Sequence, residues 1–131
     1  MRLSIGPFGE LCGLAVNEVP ELIGGTTPQS ATTRPFTYKL FISKKGETTK
    51  ITLPDHYWNY SFLQPIQRNL FLLTACRAHL YGDGTLDRNA RIFDRNGNLV
   101  RNFLLGDDIE TLQVTDKDTI STGYGDEIIF W

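Results

Sequence analysis

Two stretches of this chain repeat one pattern. FISKKGETTKITL turns at Gly46, and IFDRNGNLVRNFLL turns at Gly97, 51 residues further on. FTYKLFIS, residues 36–43, leading into the first of these turns, alternates and is rich in aromatic and β-branched residues, which marks a strand. Asn96-Gly97 is the strongest hairpin signal in the chain, because the tightest strand-compatible turns need positive φ at their central residues. A second correspondence lies downstream: YSFLQPIQRNLFLLTAC and ETLQVTDKDTISTGYG each read as strand, short polar turn, strand. After residue 36 no segment carries a helical stripe with a cap. The expected fold class is all-β and antiparallel.

Four strands in roughly 50 residues is the size of a propeller blade, a small sheet that stacks face to face with its neighbours around an axis. The expected organisation is one domain over residues 1–131, with four-stranded blade-like units at about 36–83 and 84–131. That makes two to three blades and an incomplete ring; a small β-sandwich or open barrel is the alternative. Residues 24–35, GGTTPQSATTRP, read as a loop. The apolar run LFLLTACRAHL at 70–80 does not alternate, as expected of a strand buried on both faces; a short buried helix has the same look. Pro54 and Pro65 are expected at strand ends.

The order of motifs from LQPIQRN through LLTACRA, NARIFDRNG and LGDDIETLQVTDKDTI resembles the N-terminal part of an uncharacterised bacterial family of β-propeller-like proteins, over about residues 57–127. The chain departs from that family's pattern at Ile120-Ser121, where an Ile-Trp pair is usual, and at Tyr124 to Ile128, where Tyr-Phe-Asp-Glu-Gly is usual. The resemblance implies a blade fold and no established activity.

Too few blades for a ring leave a sheet face and strand edges bare, which favours association. Self-association that covers those surfaces is therefore expected. The formal net charge is −2 and charged residues make up 21%, which gives no basic face for nucleic acid or an anionic membrane. No apolar run reaches the length of a membrane span, and glycines and Pro7 interrupt the N-terminal apolar stretch where a signal peptide needs continuity. A mature cytoplasmic chain is expected. Cys12 and Cys76 lie far apart in apolar runs and read as buried free thiols.

Candidate chemistry is sparse. DRNGN at 94–98 is a hairpin turn and not a calcium loop, since its glycine comes too early and position twelve is Leu105. Asp107, Asp108, Glu110, Asp116, Asp118, Asp126 and Glu127 crowd the C-terminal stretch. They solvate and cap turns, or converge on a hard cation or an acid–base pair. His56 and His79 have no partner at metal-ligand spacing, so no metal and no cofactor are expected. The aromatic cluster HYWNYSF at 56–62 packs a core or offers faces to a ligand. Arg77, Arg88, Arg91, Arg95 and Arg101 read as cross-strand ion-pair partners. The ligand-binding candidates are Trp58, Tyr60, Tyr124, Asp126 and Glu127; no catalytic residue is proposed. The expected function is a non-catalytic binding or assembly module that takes a protein or small ligand. The alternatives are a lectin-like carbohydrate binder and, after assembly, a metal-dependent lactonase-like hydrolase.

Overall fold

The computed structural model describes residues 1–19, 22–23, 27–28, 30–78, 82–85 and 87–124. The chain runs through β1 (Arg2–Ile5), β2 (Leu11–Val16), β3 (Leu22–Ile23), β4 (Thr27–Pro28), β5 (Ala31–Lys44) and β6 (Glu47–Trp58). It continues through β7 (Tyr60–Ile66), β8 (Leu70–Ala75), β9 (Ala90–Phe93), β10 (Leu99–Phe103), β11 (Ile109–Val114) and β12 (Ile120–Tyr124). Pairing is antiparallel throughout. The sheets are open: β1-β2-β5-β6, β10-β9-β8-β7, the pair β11-β12 and the short pair β3-β4. The fold is thus all-β with blade-like sheets and no closed barrel. Among the described residues no helix is long and apolar enough to cross a membrane.

Alternation along the strands builds two packed seams. Cys12, Leu14, Phe36, Tyr38, Leu40, Ile51 and Leu53 of the first sheet meet Tyr60, Leu63, Phe71, Leu73 and Phe93 of the second. From the opposite face of the second sheet, Ile66, Leu72, Ala90 and Ile92 meet Ile109, Leu112 and Val114 of β11. Leu72 and Leu73, neighbours in sequence and both 0% exposed, therefore serve opposite seams. This is why the run at 70–75 is so apolar: β8, inside the middle sheet, is covered on both faces.

The Gly97 hairpin forms, but Gly97 alone of the Asn96-Gly97 pair takes positive φ. The Asp94 N–H bonds to the Asn98 carbonyl, so the loop has three residues rather than the two that Asn-Gly suggests. Gly97 takes φ 81° and donates its N–H to the Asp94 carbonyl at 3.1 Å. Asp94 Oδ1 accepts from the backbone N–H groups of Asn96 and Asn98 at 2.9 and 3.0 Å, and the strand pair carries a separate bulge between Leu99 and Arg101. These bonds hold the exposed Asp94 carboxyl below its ordinary range.

Several boundaries differ from the sequence reading. The first sheet starts at Arg2, with β1 and β2 formed by the glycine-interrupted stretch that the sequence left unassigned. Residues 31–35 of the expected loop belong to β5, whose bulges between Ala31, Phe36 and Tyr38 absorb Pro35. The expected strand over 57–66 is cut at Asn59, where the chain leaves the first sheet for the second. The four-stranded sheets accordingly fall at 2–58 and 60–103, not at the 36–83 and 84–131 units that the hairpin spacing suggests. The cause is that a hairpin signal marks two strands but not which sheet they join.

Candidate functional site

The first strands of the three layers, β1, β7 and β11, lie side by side and are tied by polar side chains. Ser4 Oγ donates to the Leu63 carbonyl at 3.0 Å. Gln64 Nε2 donates to the Ile5 carbonyl at 3.0 Å, while Gln64 Oε1 accepts from Gln113 Nε2 at 2.9 Å and from the Val114 N–H at 3.3 Å. Gln113 Nε2 also reaches the Ile5 carbonyl at 3.1 Å. Gln64 is 1% exposed, and a buried amide this well bonded fixes one register among the layers. The sequence signal for it is the recurrence of Leu-Gln at 63–64 and 112–113, in the two stretches that each read as strand, polar turn, strand.

Trp58 and Tyr60 flank the β6–β7 crossing. Tyr60 is in the core, and its hydroxyl shares a hydrogen bond of 3.2 Å with His56 Nδ1. Its backbone N–H donates to Tyr38 Oη at 3.0 Å, and Tyr38 Oη donates to the Trp58 carbonyl at 2.5 Å. The rings of Phe36, Tyr38, Tyr60, His56 and Phe93 form a chain of tilted contacts, the closest being Tyr38–Tyr60 at 4.9 Å. The half-buried Trp58 carries the Arg91 guanidinium 4.0 Å from its ring centroid, a cation–π contact. Burial pushes the Tyr60 hydroxyl well up and Tyr38 up to about 12. Burial, reinforced by Arg91, lowers His56, so its imidazole is neutral at physiological pH.

Tyr124 stands elsewhere. It belongs to β12, is about half exposed, and its hydroxyl donates to the Leu105 carbonyl at 2.9 Å. Gly106 lies beneath it with φ 129°, and a Cβ there would fall 2.7 Å from the Tyr124 hydroxyl oxygen. Tyr124 takes no part in the ring chain around Tyr60. Asp126 and Glu127, with His79, lie outside the described residues.

The other acidic candidates act as fasteners. Asp118 Oδ1 accepts the Gln67 N–H at 2.7 Å, pinning the β11–β12 turn to the β7–β8 turn. Asp107 accepts the Ala78 N–H at 2.8 Å and pairs with Arg77, which also reaches Asp108. Of the five arginines expected in ion pairs, Arg77 alone has one among the described residues: Arg91 covers Trp58, Arg101 lies over Phe103, and Arg88 donates to Asn102. Aromatic faces and amides took the places expected of carboxylates. Asn89, fully buried, donates to the Ala75 and Gly106 carbonyls and accepts the Leu105 N–H; Ser30 donates to the buried Asp87. Cys12 is buried and Cys76 half-buried, and neither is in a disulfide. Among the described residues no three His, Cys, Asp or Glu side chains gather as metal ligands would.

The fold and its side chains define a class: stacked, open antiparallel sheets whose first strands share a polar seam. Comparison with known proteins finds no family model, no curated protein and no solved structure that matches the chain.

Proposed function

We propose that this chain is a non-catalytic binding and assembly module, built of blade-like sheets, that self-associates through the outer face of its first sheet. One observation carries the reading. Register places Leu3 beside Gly13 and Gly13 beside Phe41, with Ile5 beside Leu11 in the adjacent row. All of these point away from the packed seam, and Leu3 is 66% exposed, Ile5 55% and Leu11 48%. An apolar stripe across a sheet whose other face is sealed is the kind of surface that another sheet covers. The stacking already present in the chain supports a further layer there. Within a propeller-like arrangement, the bonded first strands β1, β7 and β11 play the part of the strands nearest the axis.

Sugar stacking on Trp58 or Tyr60 has less support, because Arg91 occupies a face of the indole and Tyr60 is in the core.

Light scattering coupled to size exclusion, over a wide concentration range, tests the assembly. The expected result is a mass that is a multiple of 14.8 kDa, returning to the single-chain value in a Leu3→Glu/Leu11→Glu variant. A wild-type chain that stays at the single-chain mass at the highest attainable concentration ends the reading.

A further inference from the structure

A concavity of about 630 Å³ opens between the first and second sheets at their turn end. Four cations from three separate turns line it. Lys44 and Lys45 come from the β5–β6 turn, Arg68 from the β7–β8 turn and Arg95 from the β9–β10 turn. Two carboxylates share the lining, Glu10 and Glu47. Glu10 is only 7% exposed, and its Oε1 is engaged by the Phe8 N–H at 2.6 Å. Among the described residues none of the four cations is within ion-pair distance of a carboxylate, whereas Arg34 and Arg77 are paired. In a chain of net charge −2, this local excess of positive charge is set by the fold. Pro65, Leu70 and Phe71 give the lining an apolar part, and low-dielectric walls focus the field of nearby charges into a cleft.

We infer that this cleft binds a small, multiply charged oxyanion, the chemistry shared by phosphate esters, pyrophosphate and polycarboxylates. Arg68 and Arg95 supply planar forked donors suited to paired oxygens, and Lys44 and Lys45 supply compact point charges. Lys44 Nζ stands 5.0 Å from the ring centroid of the exposed Phe8, which places that aromatic edge at the rim. The site is built within one chain and does not depend on self-association.

The test is isothermal titration of the full chain at low ionic strength with pyrophosphate and, separately, with citrate. At least one anion is expected to bind with 1:1 stoichiometry. Binding should weaken several-fold at high salt and at least roughly fivefold in Arg68→Gln/Arg95→Gln. Arg101→Gln, on β10 over Phe103 and outside the cleft, should bind as the wild type does. Preference for pyrophosphate assigns the site to phosphate compounds, and preference for citrate assigns it to polycarboxylates. Lys44→Gln/Lys45→Gln repeats the measurement from a different turn, should the arginine variant prove unstable. Absence of heat with both anions overturns the inference, as does binding unchanged in both double variants or weakened equally by Arg101→Gln. Mass measurements fail or succeed independently of these outcomes.

Discussion

The two seams on either side of the middle sheet are built from different materials. Between the first and second sheets the seam is aromatic and hydrogen-bonded: Tyr38, Tyr60, His56 and Phe93 touch ring to ring, and Cys12 is buried in the same cluster. Between the second sheet and the β11–β12 pair the buried apolar residues are aliphatic, with Phe62 and Phe103 packed against them. An aliphatic seam holds by area and shape but has little directional preference. Its register is therefore set from outside, by Gln64 with Gln113 and Val114, by Asp118 on the Gln67 N–H, and by Asn89 on Leu105 and Gly106. The aromatic seam carries its own directionality in the Tyr38 and Tyr60 bonds. One middle sheet thus uses two solutions to the same stacking problem.

The bluntest way to probe the contrast is to empty each seam in turn. Leu73→Ala opens the aromatic seam and Leu72→Ala the aliphatic one; each should cost about 2–5 kcal/mol, a fall in melting temperature on the order of 10 °C by calorimetry. Equal losses would mean that both seams fold as one cooperative unit. A second, lower transition in Leu72→Ala alone would mean that the β11–β12 pair can detach by itself.

Gln64→Leu sharpens the comparison at the polar seam. It removes the side-chain acceptor of the Val114 N–H and one of the two amides on the Ile5 carbonyl, so a loss of about 1–3 kcal/mol is expected in urea unfolding. A neutral result would show that the aliphatic seam keeps its register without the amide.

Alkaline pH attacks the aromatic seam alone. Burial raises Cys12 from 9.0 to about 11 and Tyr38 from 10.0 to about 12, so the native state holds protons that the unfolded state releases. The stability these groups confer is complete below pH 9 and is lost as pH rises from there towards 12. His56 has the opposite sense. Its lowered value means that the unfolded chain binds more protons, so stability falls as pH drops below 6.5. Thermal melts across pH should show both slopes, and Tyr38→Phe should flatten part of the alkaline one at a cost of about 0.5–1.5 kcal/mol from its lost bonds. An unchanged alkaline slope in Tyr38→Phe would place the titration elsewhere.

The smallest effect is expected on the bare face of the first sheet. Leu11→Ala should change single-chain stability by less than about 0.5 kcal/mol, measured in dilute solution where association is absent. A larger loss there would mean that the outer face contributes to the fold itself.

The hairpins and the doubly buried middle strand were legible because their determinants are local. Asn96-Gly97 needs only its own backbone to turn, and the run at 70–75 shows in its own composition that both faces are covered. The β1–β2 hairpin was hidden because its glycines look like interruptions. Gly6 is small because Glu10 and Pro65 crowd it, whereas a Cβ on Gly13 would meet Met1, Leu3 and Phe41 only at ordinary contact distance; those neighbours are known only after folding. Trp58 and Tyr60 were picked out for their aromatic density, which is the same whether the rings face solvent or a core. The cleft of Lys44, Lys45, Arg68 and Arg95 was not legible at all, since its charges are scattered over three turns far apart in sequence.

By itself, then, the sequence determined strand period, turn positions and the all-β class, because alternation and positive-φ residues act within a few residues of chain. Which strands share a sheet, which face of each sheet is sealed, and which charges converge were decided only in three dimensions. Those outcomes depend on side chains meeting across layers, and no local pattern encodes a partner that lies fifty residues away.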